Sequence, residues 1–254
     1  MAVFVMIVLL ASFVTSIRSH SCHHACKSSN ETRMMSYQDQ GDNIYSLVLE
    51  QPQGLNYANP KKFISNKTQG APAWTIHGLW LSQNGESKNC CTTLGPLDLN
   101  NISEDVHSEM KTLWMSLTKR KDKGFWSHEW CKHGNCVANT LTSKDNPTNA
   151  YFSQTLELYH KHDVKEILDK NGITPGNPYK GTEIIDAIRD EINVTPQIFC
   201  DRSKDQGQQV LIELMLCFSG TDLTPADCPE GIGYGRNEEC GDKVMYYPTK
   251  FQQD

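Results

Sequence analysis

The chain has 254 residues, of which 38% are hydrophobic and 21% are charged, and its formal net charge at pH 7 is −6 with neutral histidines. This length is enough for one globular domain with a sizeable core. The acidic balance excludes a protein that coats nucleic acid through a broad basic surface, although an enzyme needs only a local cationic site. Charging the nine histidines would change −6 to +3, so binding to a polyanion should strengthen as pH falls.

The N-terminal segment predicts export. Residues 1–16 are typical of a signal peptide, because Ala2–Phe13 is almost wholly apolar and small residues follow it. This run is shorter than the roughly 20 residues of a membrane span, and no later segment is long and apolar enough. We therefore expect a secreted, extracellular protein without stable membrane association, with a lysosome or endosome as the alternative destination. Residues 17–44 then form a cysteine-bearing arm, and residues 45–254 form a single domain.

Cysteines and glycosylation motifs agree with export. The ten cysteines, an even number, indicate five disulfides in an oxidising compartment. In the arm, Cys22-His-His-Ala-Cys26 can be a disulfide-linked segment or a metal site, and the compartment favours the disulfides. Asn-x-Ser/Thr motifs predict glycosylation at Asn30, Asn66, Asn101 and Asn193. The prediction is weakest at Asn193, because Pro196 follows that motif.

The predicted elements mix strands and helices without a regular βαβ order. Strands are predicted at Tyr45–Leu49, Trp74–Trp80, Val210–Phe218 and Val244–Tyr247. Between the first two strands, the polar stretch Gln51–Ala73 predicts a long surface excursion. Helices are predicted from an Asn101 N-cap to about Thr118, and at Tyr151–Lys161, Val164–Lys170 and Glu183–Glu191. This mixture predicts an α+β fold.

Two segments concentrate imidazoles among tryptophans: Trp74-Thr-Ile-His-Gly-Leu-Trp80 and Phe125-Trp-Ser-His-Glu-Trp-Cys-Lys-His-Gly-Asn-Cys136. If residues 128–133 are helical, Glu129 and His133 are four apart and share a face with Lys132 beside them. Trp126 and Trp130 would anchor such a helix by packing. The alternative is an exposed charged helix with chance histidines, which the flanking tryptophans and cysteines disfavour.

Two other classes of enzyme fit this sequence poorly. The zincin pattern needs histidines four residues apart, whereas His133 follows His128 by five, a rotation of about 140° on an α-helix. Disulfides account better than a metal for Cys131 and Cys136 in an exported chain. A serine hydrolase is disfavoured because no Gly-x-Ser-x-Gly elbow is present. The sequence therefore predicts neither a metal nor another cofactor.

Metal-free cleavage of RNA suits these side chains. RNA supplies its own nucleophile, the 2′-hydroxyl beside the phosphate. The enzyme must remove that proton, give one to the leaving 5′-oxygen and stabilise charge on the phosphoryl oxygens. His77 and His133 can serve the two proton transfers, in either order. Lys132 can stabilise the developing charge, Glu129 can hold the array in place and Trp80 can stack a base.

The two segments resemble the active-site segments of the ribonuclease T2 family in sequence, order and separation. The resemblance covers the chain from about Tyr45 onward and continues through the following stretches: Asn171–Pro175, Pro196–Cys200, Ile212–Cys217, Asp227–Pro229 and Tyr246–Pro248. It implies an α+β fold with a central antiparallel sheet, flanked by helices and stapled by disulfides. It also implies that residues 45–254 are one catalytic domain.

The family resemblance implies a role for each site residue. Single-stranded RNA, and not DNA, would be cleaved without a metal through a 2′,3′-cyclic phosphate, often best at acidic pH. His133 would be the general base and His77 the general acid. Glu129 and Lys132 would stabilise the transition state. His128 would bind the phosphate, and Trp80 would lie at the base site. A monomer is the expected state.

The chain also departs from the family pattern, and its disulfides are only partly implied. Leu81 and Gln51 replace the family's usual proline and tryptophan beside the base site, which leaves base preference open. The resemblance implies the pairs Cys200–Cys240 and Cys217–Cys228, and pairs Cys136 with Cys90 or Cys91. The connection of Cys22, Cys26, Cys131 and one of the adjacent pair stays open. Our hypothesis is that the arm is stapled through Cys131 near the predicted helix at residues 128–133, which we call the catalytic helix.

Two further interpretations concern surfaces. The basic cluster Lys119–Lys123 is best explained as the exposed C-terminal end of a helix, where the dipole favours cations, with an extended RNA-phosphate subsite as the alternative. The alternative function is that of a secreted glycoprotein that acts on other cells as a signalling, immunomodulatory or cytotoxic factor, with cleavage ancillary. Its additional partner would be a glycan-binding receptor.

Overall fold

The computed structural model describes residues 42–91, 93–141, 145–204, 207–229 and 239–248. The predicted signal peptide, the Asn30 glycosylation motif and the Cys22–Cys26 segment lie outside these residues. The predictions about them therefore stay predictions, as does the division of the chain at residue 45.

An eight-stranded sheet organises the described part of the chain. Its strands are β1 (Asn43–Glu50), β2 (Thr75–Gln83), β3 (Glu86–Lys88), β4 (Pro178–Tyr179), β5 (Gln197–Arg202), β6 (Gln209–Ser219), β7 (Thr224–Ala226) and β8 (Val244–Met245). The main order is β3-β2-β1-β6-β8-β4, and β5 and β7 also pair with β6. All pairs are antiparallel except β6 with β8. The α+β prediction with an antiparallel sheet is confirmed.

The central strands are the ones that the sequence marks most strongly. All residues of Val210–Phe218 are buried, as the continuous apolar run predicted for an interior strand. β1 and β2 are longer than predicted, because their polar ends continue the ladder between Asn43 and Gln83. β8 is shorter than the predicted Val244–Tyr247 and pairs in parallel with the start of β6.

Helices flank the sheet. They are α1 (Pro52–Ala58), α2 (Ser65–Gly70), α3 (Glu104–Leu113), α4 (Asp122–Glu129), α5 (Asn135–Ala138), α6 (Pro147–Lys161), α7 (Val164–Lys170) and α8 (Gly181–Ile192), with a 3₁₀ turn at Leu99–Asn101 and a π-helical turn at Trp130–Gly134. The bounds of α7 are those predicted. Helices α6 and α8 begin earlier than predicted, after the caps Asn146 and Lys180.

The prediction of a surface excursion over Gln51–Ala73 is wrong. This stretch contains α1 and α2, and Gln51 itself is fully buried. The side chain of Gln51 caps α1 by accepting a hydrogen bond from the backbone N–H of Gly54. Gly54 lies so close to β6 that a Cβ atom there would be 1.9 Å from the carbonyl oxygen of Leu211. Polar composition therefore concealed a helix that packs on the sheet through its backbone.

The prediction of one helix from Asn101 to about Thr118 is also wrong at both ends. Asn101 closes the 3₁₀ turn, and the N-cap of α3 is Ser103. The helix ends at Leu113 because Trp114 turns into the core, where it is fully buried. Its indole N–H donates a 2.9 Å hydrogen bond to the backbone carbonyl of His77. The tertiary contact with β2 thus ends the helix earlier than the apolar period suggests.

Three disulfides join described residues. Cys200–Cys240 and Cys217–Cys228 are the predicted pairs, and Cys136 bonds to Cys91. Cys90 and Cys131 are also disulfide-bonded. The hypothesis that the arm is joined to Cys131 concerns residues outside those described and stays a prediction. In the described part of the chain, no helix is long and apolar enough to cross a membrane.

Candidate active site

His77 lies on β2 among three carboxylates. Its Nδ1 is 2.8 Å from Oε1 of Glu213, with which it shares a hydrogen bond, and 3.7 Å from Oε1 of Glu50. Its Nε2 is 3.8 Å from Oε1 of Glu129. Glu50 and Glu213 are directly opposite each other on β1 and β6. The imidazole is therefore held from the sheet side by two strands and faces the catalytic helix with its other nitrogen.

Trp80 links β2 to that helix. Its indole N–H donates a 3.1 Å hydrogen bond to Oε2 of the buried Glu129, and its ring stacks on His133 with centroids 4.7 Å apart. Gly78 makes this approach feasible, because a Cβ atom there would lie 2.6 Å from Nε1 of Trp80. The spacing His-Gly-Leu-Trp thus places His77 and Trp80 together only with glycine between them.

The catalytic helix is not a continuous α-helix, contrary to prediction. α4 ends at Glu129, and the next turn, Trp130–Gly134, is π-helical, with the N–H of Asn135 bonded to the carbonyl of Trp130. The wider turn changes the angular positions derived from a 3.6-residue period, including the rotation between His128 and His133. Trp126 and Trp130 are buried and anchor this segment, as predicted.

His133 is a buried member of the site. Only 3% of the residue is exposed, and its Nδ1 has no hydrogen-bond partner among the described residues. Lys132 next to it is half-buried, and its backbone carbonyl accepts a 2.7 Å hydrogen bond from Cys90. The neighbouring disulfide Cys91–Cys136 joins the helix after the π-turn to the loop that follows β3, which also contains Cys90. The fold thus holds His133 and Lys132 from both sides.

The surrounding carboxylates raise the pKa of His77. Burial alone would lower the pKa of the His77 imidazole, but the charges of Glu50, Glu129 and Glu213 and the Glu213 hydrogen bond raise it to about 10. Burial raises the pKa of Glu50 to about 7, even though the positive charge of His77 opposes that shift. His77 is therefore cationic at neutral pH.

The surroundings of His133 act in the opposite direction. Burial, followed by the positive charges of Lys132, His77 and His128, lowers the pKa of the His133 imidazole well below its usual range. Burial raises the pKa of the Glu129 carboxyl, although His77 and the Trp80 hydrogen bond oppose that rise. One imidazole of the site is thus protonated at neutral pH, and the other is neutral.

An open groove runs past His77. His128 and Phe125 from α4, Arg120 before it, and Lys62 and Phe63 from the segment after α1 line it together with His77 and Glu129. Nε2 of His128 is 4.0 Å from Oε1 of Glu129. The groove continues toward Glu213 and Asn59. Its cations and aromatic rings are the groups that bind phosphates and bases.

The predicted contact of a base with Trp80 stays a prediction, and the structure gives the indole two other partners. Trp80 is 8% exposed, its ring lies against His133 and its N–H is bonded to Glu129. The indole therefore forms an inner wall between the two histidines. Phe125, which is half-buried and lines the groove 5.9 Å from the His77 ring, is better placed for stacking.

Sequence reasoning missed Glu50, Glu213 and Lys62. A detectable signal existed for the glutamates, because Glu213 interrupts an otherwise apolar strand and Glu50 ends another. An acidic side chain in a buried strand is costly unless it is paired. Lys62 gave no such signal, because its position depends on the packing of α1. Within the described residues, ligand atoms of Glu50, His77 and Glu213 lie within 4.8 Å of one another and form the group able to hold a cation.

A family comparison identifies relatives of this chain. The family model for the ribonuclease T2 family matches residues 43–228. Extracellular ribonuclease LE of Solanum lycopersicum is 34% identical over 200 residues, which cover 76% of this chain and 82% of that protein. Ribonuclease T2 of Homo sapiens is 34% identical over 161 residues, covering 62% of this chain and 60% of that protein.

Solved structures show the same fold. The crystal structure of RNase NT in complex with 5′-AMP is 30% identical, with a TM-score of 0.69, and the match covers 83% of this chain and 100% of that one. The human RNase T2 structure is 28% identical, with a TM-score of 0.61, over 81% of this chain and 98% of that one. Both matches cover nearly the whole of the solved chain.

Proposed function

The chain belongs to the ribonuclease T2 family and is an endoribonuclease, and we propose that it cleaves single-stranded RNA by metal-free transfer of protons between substrate and two histidines. One observation carries this mechanism: His77 and His133 both contact the ring of Trp80, and their pKa values are shifted in opposite directions. A reaction that needs an acid and a base at the same pH requires such a pair.

His133 acts as the general base in this proposal. A neutral imidazole can accept the proton of the 2′-hydroxyl, whose oxygen then forms a bond to phosphorus. Burial and three nearby positive charges keep His133 neutral. The same positive charges favour the negative charge that develops on the phosphoryl oxygens.

His77 acts as the general acid. As the bond from phosphorus to the 5′-oxygen breaks, the imidazolium of His77 protonates that oxygen, and a 2′,3′-cyclic phosphate remains on the other product. Glu213 holds Nδ1, which leaves Nε2 toward the catalytic helix as the donor. Hydrolysis of the cyclic phosphate would use the two histidines with their roles exchanged.

The remaining residues stabilise charge. Lys132 contributes a positive charge beside Glu129 and His133, and His128 contributes a donor on the groove. Glu129 is suited to transition-state stabilisation because burial raises its pKa, and a protonated carboxyl donates a hydrogen bond to a phosphoryl oxygen. A bound phosphate would favour that protonated form further.

Export is part of the proposal. The disulfides at Cys91–Cys136, Cys200–Cys240 and Cys217–Cys228 fit an oxidising compartment. Of the predicted glycosylation sites, those within the described residues, Asn66, Asn101 and Asn193, are exposed, as a glycan requires. A similar protein, from Solanum lycopersicum, is named an extracellular ribonuclease.

The test is cleavage of a defined RNA in EDTA from acidic to neutral pH, with identification of the ends. We expect 2′,3′-cyclic phosphate ends despite the chelator. His77→Phe and His133→Phe should each lower kcat by about 10²–10⁴. His160→Phe is the matched control, because His160 is an exposed histidine paired with Glu109. Loss of cleavage in EDTA, or unchanged rates in both site variants, would overturn the mechanism.

The alternative function, action on other cells as a signalling or cytotoxic glycoprotein, stays a prediction. The same variants separate it from catalysis. An effect on cells that survives in folded His77→Phe protein would assign the biological role to binding. Joint loss of the effect and of cleavage would assign it to ribonuclease activity.

A further inference from the structure

The basic cluster Lys119–Lys123 does not lie where the sequence suggested. α3 ends at Leu113, and the cluster lies at the beginning of α4, with Lys121 as the N-cap and Lys123 in the first turn. The positive end of the helix dipole disfavours cations at this position. The dipole that was expected to stabilise the cluster therefore opposes it, and another explanation is needed for four cations in five residues.

These cations form no ion pair with a described residue, unlike the two lysines of α7. Lys119, Arg120, Lys121 and Lys123 are exposed, and within the described residues none of them forms an ion pair. The single carboxylate among them, Asp122, accepts a hydrogen bond from the backbone of Ser116. By contrast, the exposed lysines of α7 are paired with carboxylates one turn away, in Lys165–Asp169 and Lys170–Glu166.

The cluster is fixed to the wall of the active-site groove. The ammonium of Lys67 donates hydrogen bonds to the carbonyl oxygens of Ser116 (2.8 Å), Thr118 (3.0 Å) and Arg120 (3.4 Å). The backbone N–H of Ile64 bonds to Leu117 in the same contact. These bonds hold the segment after α1, with its exposed Lys61 and Lys62, against the segment that carries the cluster.

Two of the cations reach the groove itself. Arg120 from the cluster and Lys62 from the segment after α1 line it together with His77, His128 and Glu129. Positive charge therefore continues from the scissile phosphate site onto the exposed surface. We call the continuous surface the basic rim; it comprises Lys61, Lys62, Lys119, Arg120, Lys121 and Lys123.

We propose that the basic rim binds the backbone phosphates of RNA nucleotides beyond the cleaved bond, so that the enzyme engages an extended single strand. This inference rests on the proposed function. Exposed lysines that bind successive phosphates without reading bases are a general means of holding a strand. The protein as a whole is acidic, so a local rim is also where a polyanion would be drawn to the groove.

The test compares two substrates. In Lys119→Gln/Lys121→Gln/Lys123→Gln protein, kcat/KM for a long single-stranded RNA should fall at least about ten-fold at low salt, whereas kcat/KM for a dinucleotide should stay within about two-fold. The dependence of log(kcat/KM) on log[salt] should flatten by about 0.7 for each phosphate that the variant no longer binds. Arg120 and Lys62 are left intact because they line the groove.

The matched control removes three charges elsewhere. Lys161→Gln/Lys165→Gln/Lys170→Gln alters exposed lysines at the end of α6 and on α7 and should leave both substrates unaffected. Equal losses on the dinucleotide and the long RNA would overturn the proposal, because the rim would then act on the catalytic centre or the fold. Equal losses in the control would also overturn it, because net charge alone would explain them.

Direct binding separates this inference from the proposed function. A non-cleavable 2′-O-methyl oligonucleotide should bind the wild type at least about ten-fold more tightly than the rim variant at low salt, with the same change in salt slope. If the wild type cleaves no RNA, the proposed function fails, and this binding experiment still decides whether the rim holds a strand. Equal binding by wild type and rim variant would overturn the inference whatever the activity.

Discussion

The active site holds one histidine among negative charges on its sheet side and another among positive charges on its helix side. On the sheet, His77 lies beside Glu50 and Glu213, and these carboxylates, together with Glu129 from α4, raise its pKa to about 10. On the helix, His133 lies against the ring of Trp80 near Lys132, and burial with nearby positive charge lowers its pKa. The opposite pKa shifts of the two imidazoles therefore come from their neighbours, and in the proposed mechanism those shifts decide which histidine is the acid and which is the base.

Glu129 is the group that the two sides share, so its removal should have the largest effect. Glu129→Ala removes both the acceptor for the Trp80 indole and the carboxyl proton that can be donated to a phosphoryl oxygen. We expect kcat to fall by about 10²–10³ with a smaller change in KM. The measurement is steady-state cleavage of a dinucleotide. Glu109→Ala, which removes an exposed glutamate paired with a histidine, should leave kcat unchanged.

Glu213→Gln removes a negative charge from the sheet side alone. The amide oxygen can still accept the hydrogen bond from His77 Nδ1, but the negative charge is lost, so the pKa of His77 falls. The alkaline limb of the kcat profile should move to lower pH by about one unit, so kcat falls by up to about ten-fold above that limb but stays nearly unchanged at pH 7, where His77 is still protonated. A proportional loss of rate at every pH, with an unmoved limb, would show that Glu213 supports only the local fold.

Glu50→Gln tests, through thermal stability, what the negative charges around His77 cost the fold. The pKa of Glu50 is about 7 in the folded protein and lower in the unfolded chain, so folding becomes less favourable as pH rises toward and past 7. Glu50 also lies directly opposite Glu213, where like charges repel. The variant should melt about 2–4 °C higher than the wild type at pH 8.

At pH 4 the carboxyl of Glu50 is protonated, so the two proteins should melt at similar temperatures there. Thermal unfolding followed by circular dichroism at both pH values is the measurement. A variant that melts lower than the wild type at pH 8 would show that the attraction between Glu50 and His77 outweighs burial and repulsion.

His162 shows what burial alone does to the pKa of a histidine, because it is buried like His133 but lies outside the active site. It is 6% exposed outside the active site, and burial, followed by the charge of Lys161, lowers its pKa. The unfolded chain therefore binds the proton more readily, and stability is lost as pH falls below about 6.5. His162→Phe should reduce the decrease in Tm between pH 7 and pH 5 by about 2 °C. Cleavage of RNA should be unchanged, and the exposed His160→Phe should alter neither quantity.

The elements marked by strong local patterns were predictable from the sequence. The apolar run Val210–Phe218 predicted the central strand, and α7 has the predicted bounds because Asp163 and Asn171-Gly172 mark its ends. The two histidine segments come together as the resemblance implied. Each of these depends on residues that are close in the chain or on a motif with fixed spacing.

What the sequence concealed depends on contacts between distant segments. Gln51–Ala73 is polar, yet α1 packs on β6 through Gly54, a close approach of backbones that no periodicity reveals. The charge on His77 depends on Glu50 and Glu213, which are 163 positions apart and become neighbours only through strand register. The basic cluster was assigned to the wrong helix end because Trp114 leaves α3 to contact β2.

The π-helical turn at Trp130–Gly134 has a consequence for how the gene can vary. A π-turn holds one residue more than an α-helical turn, so deleting a single codon within it would let an ordinary helix form. Residues beyond the turn, such as Cys136, would keep nearly their present angle to α4, but the side chains inside it, including His133, would change position. A substitution here changes one contact, but a change in length displaces Lys132 and His133 together. Functional variants of this protein should therefore differ in length in the loops and keep the count from His128 to Cys136 constant.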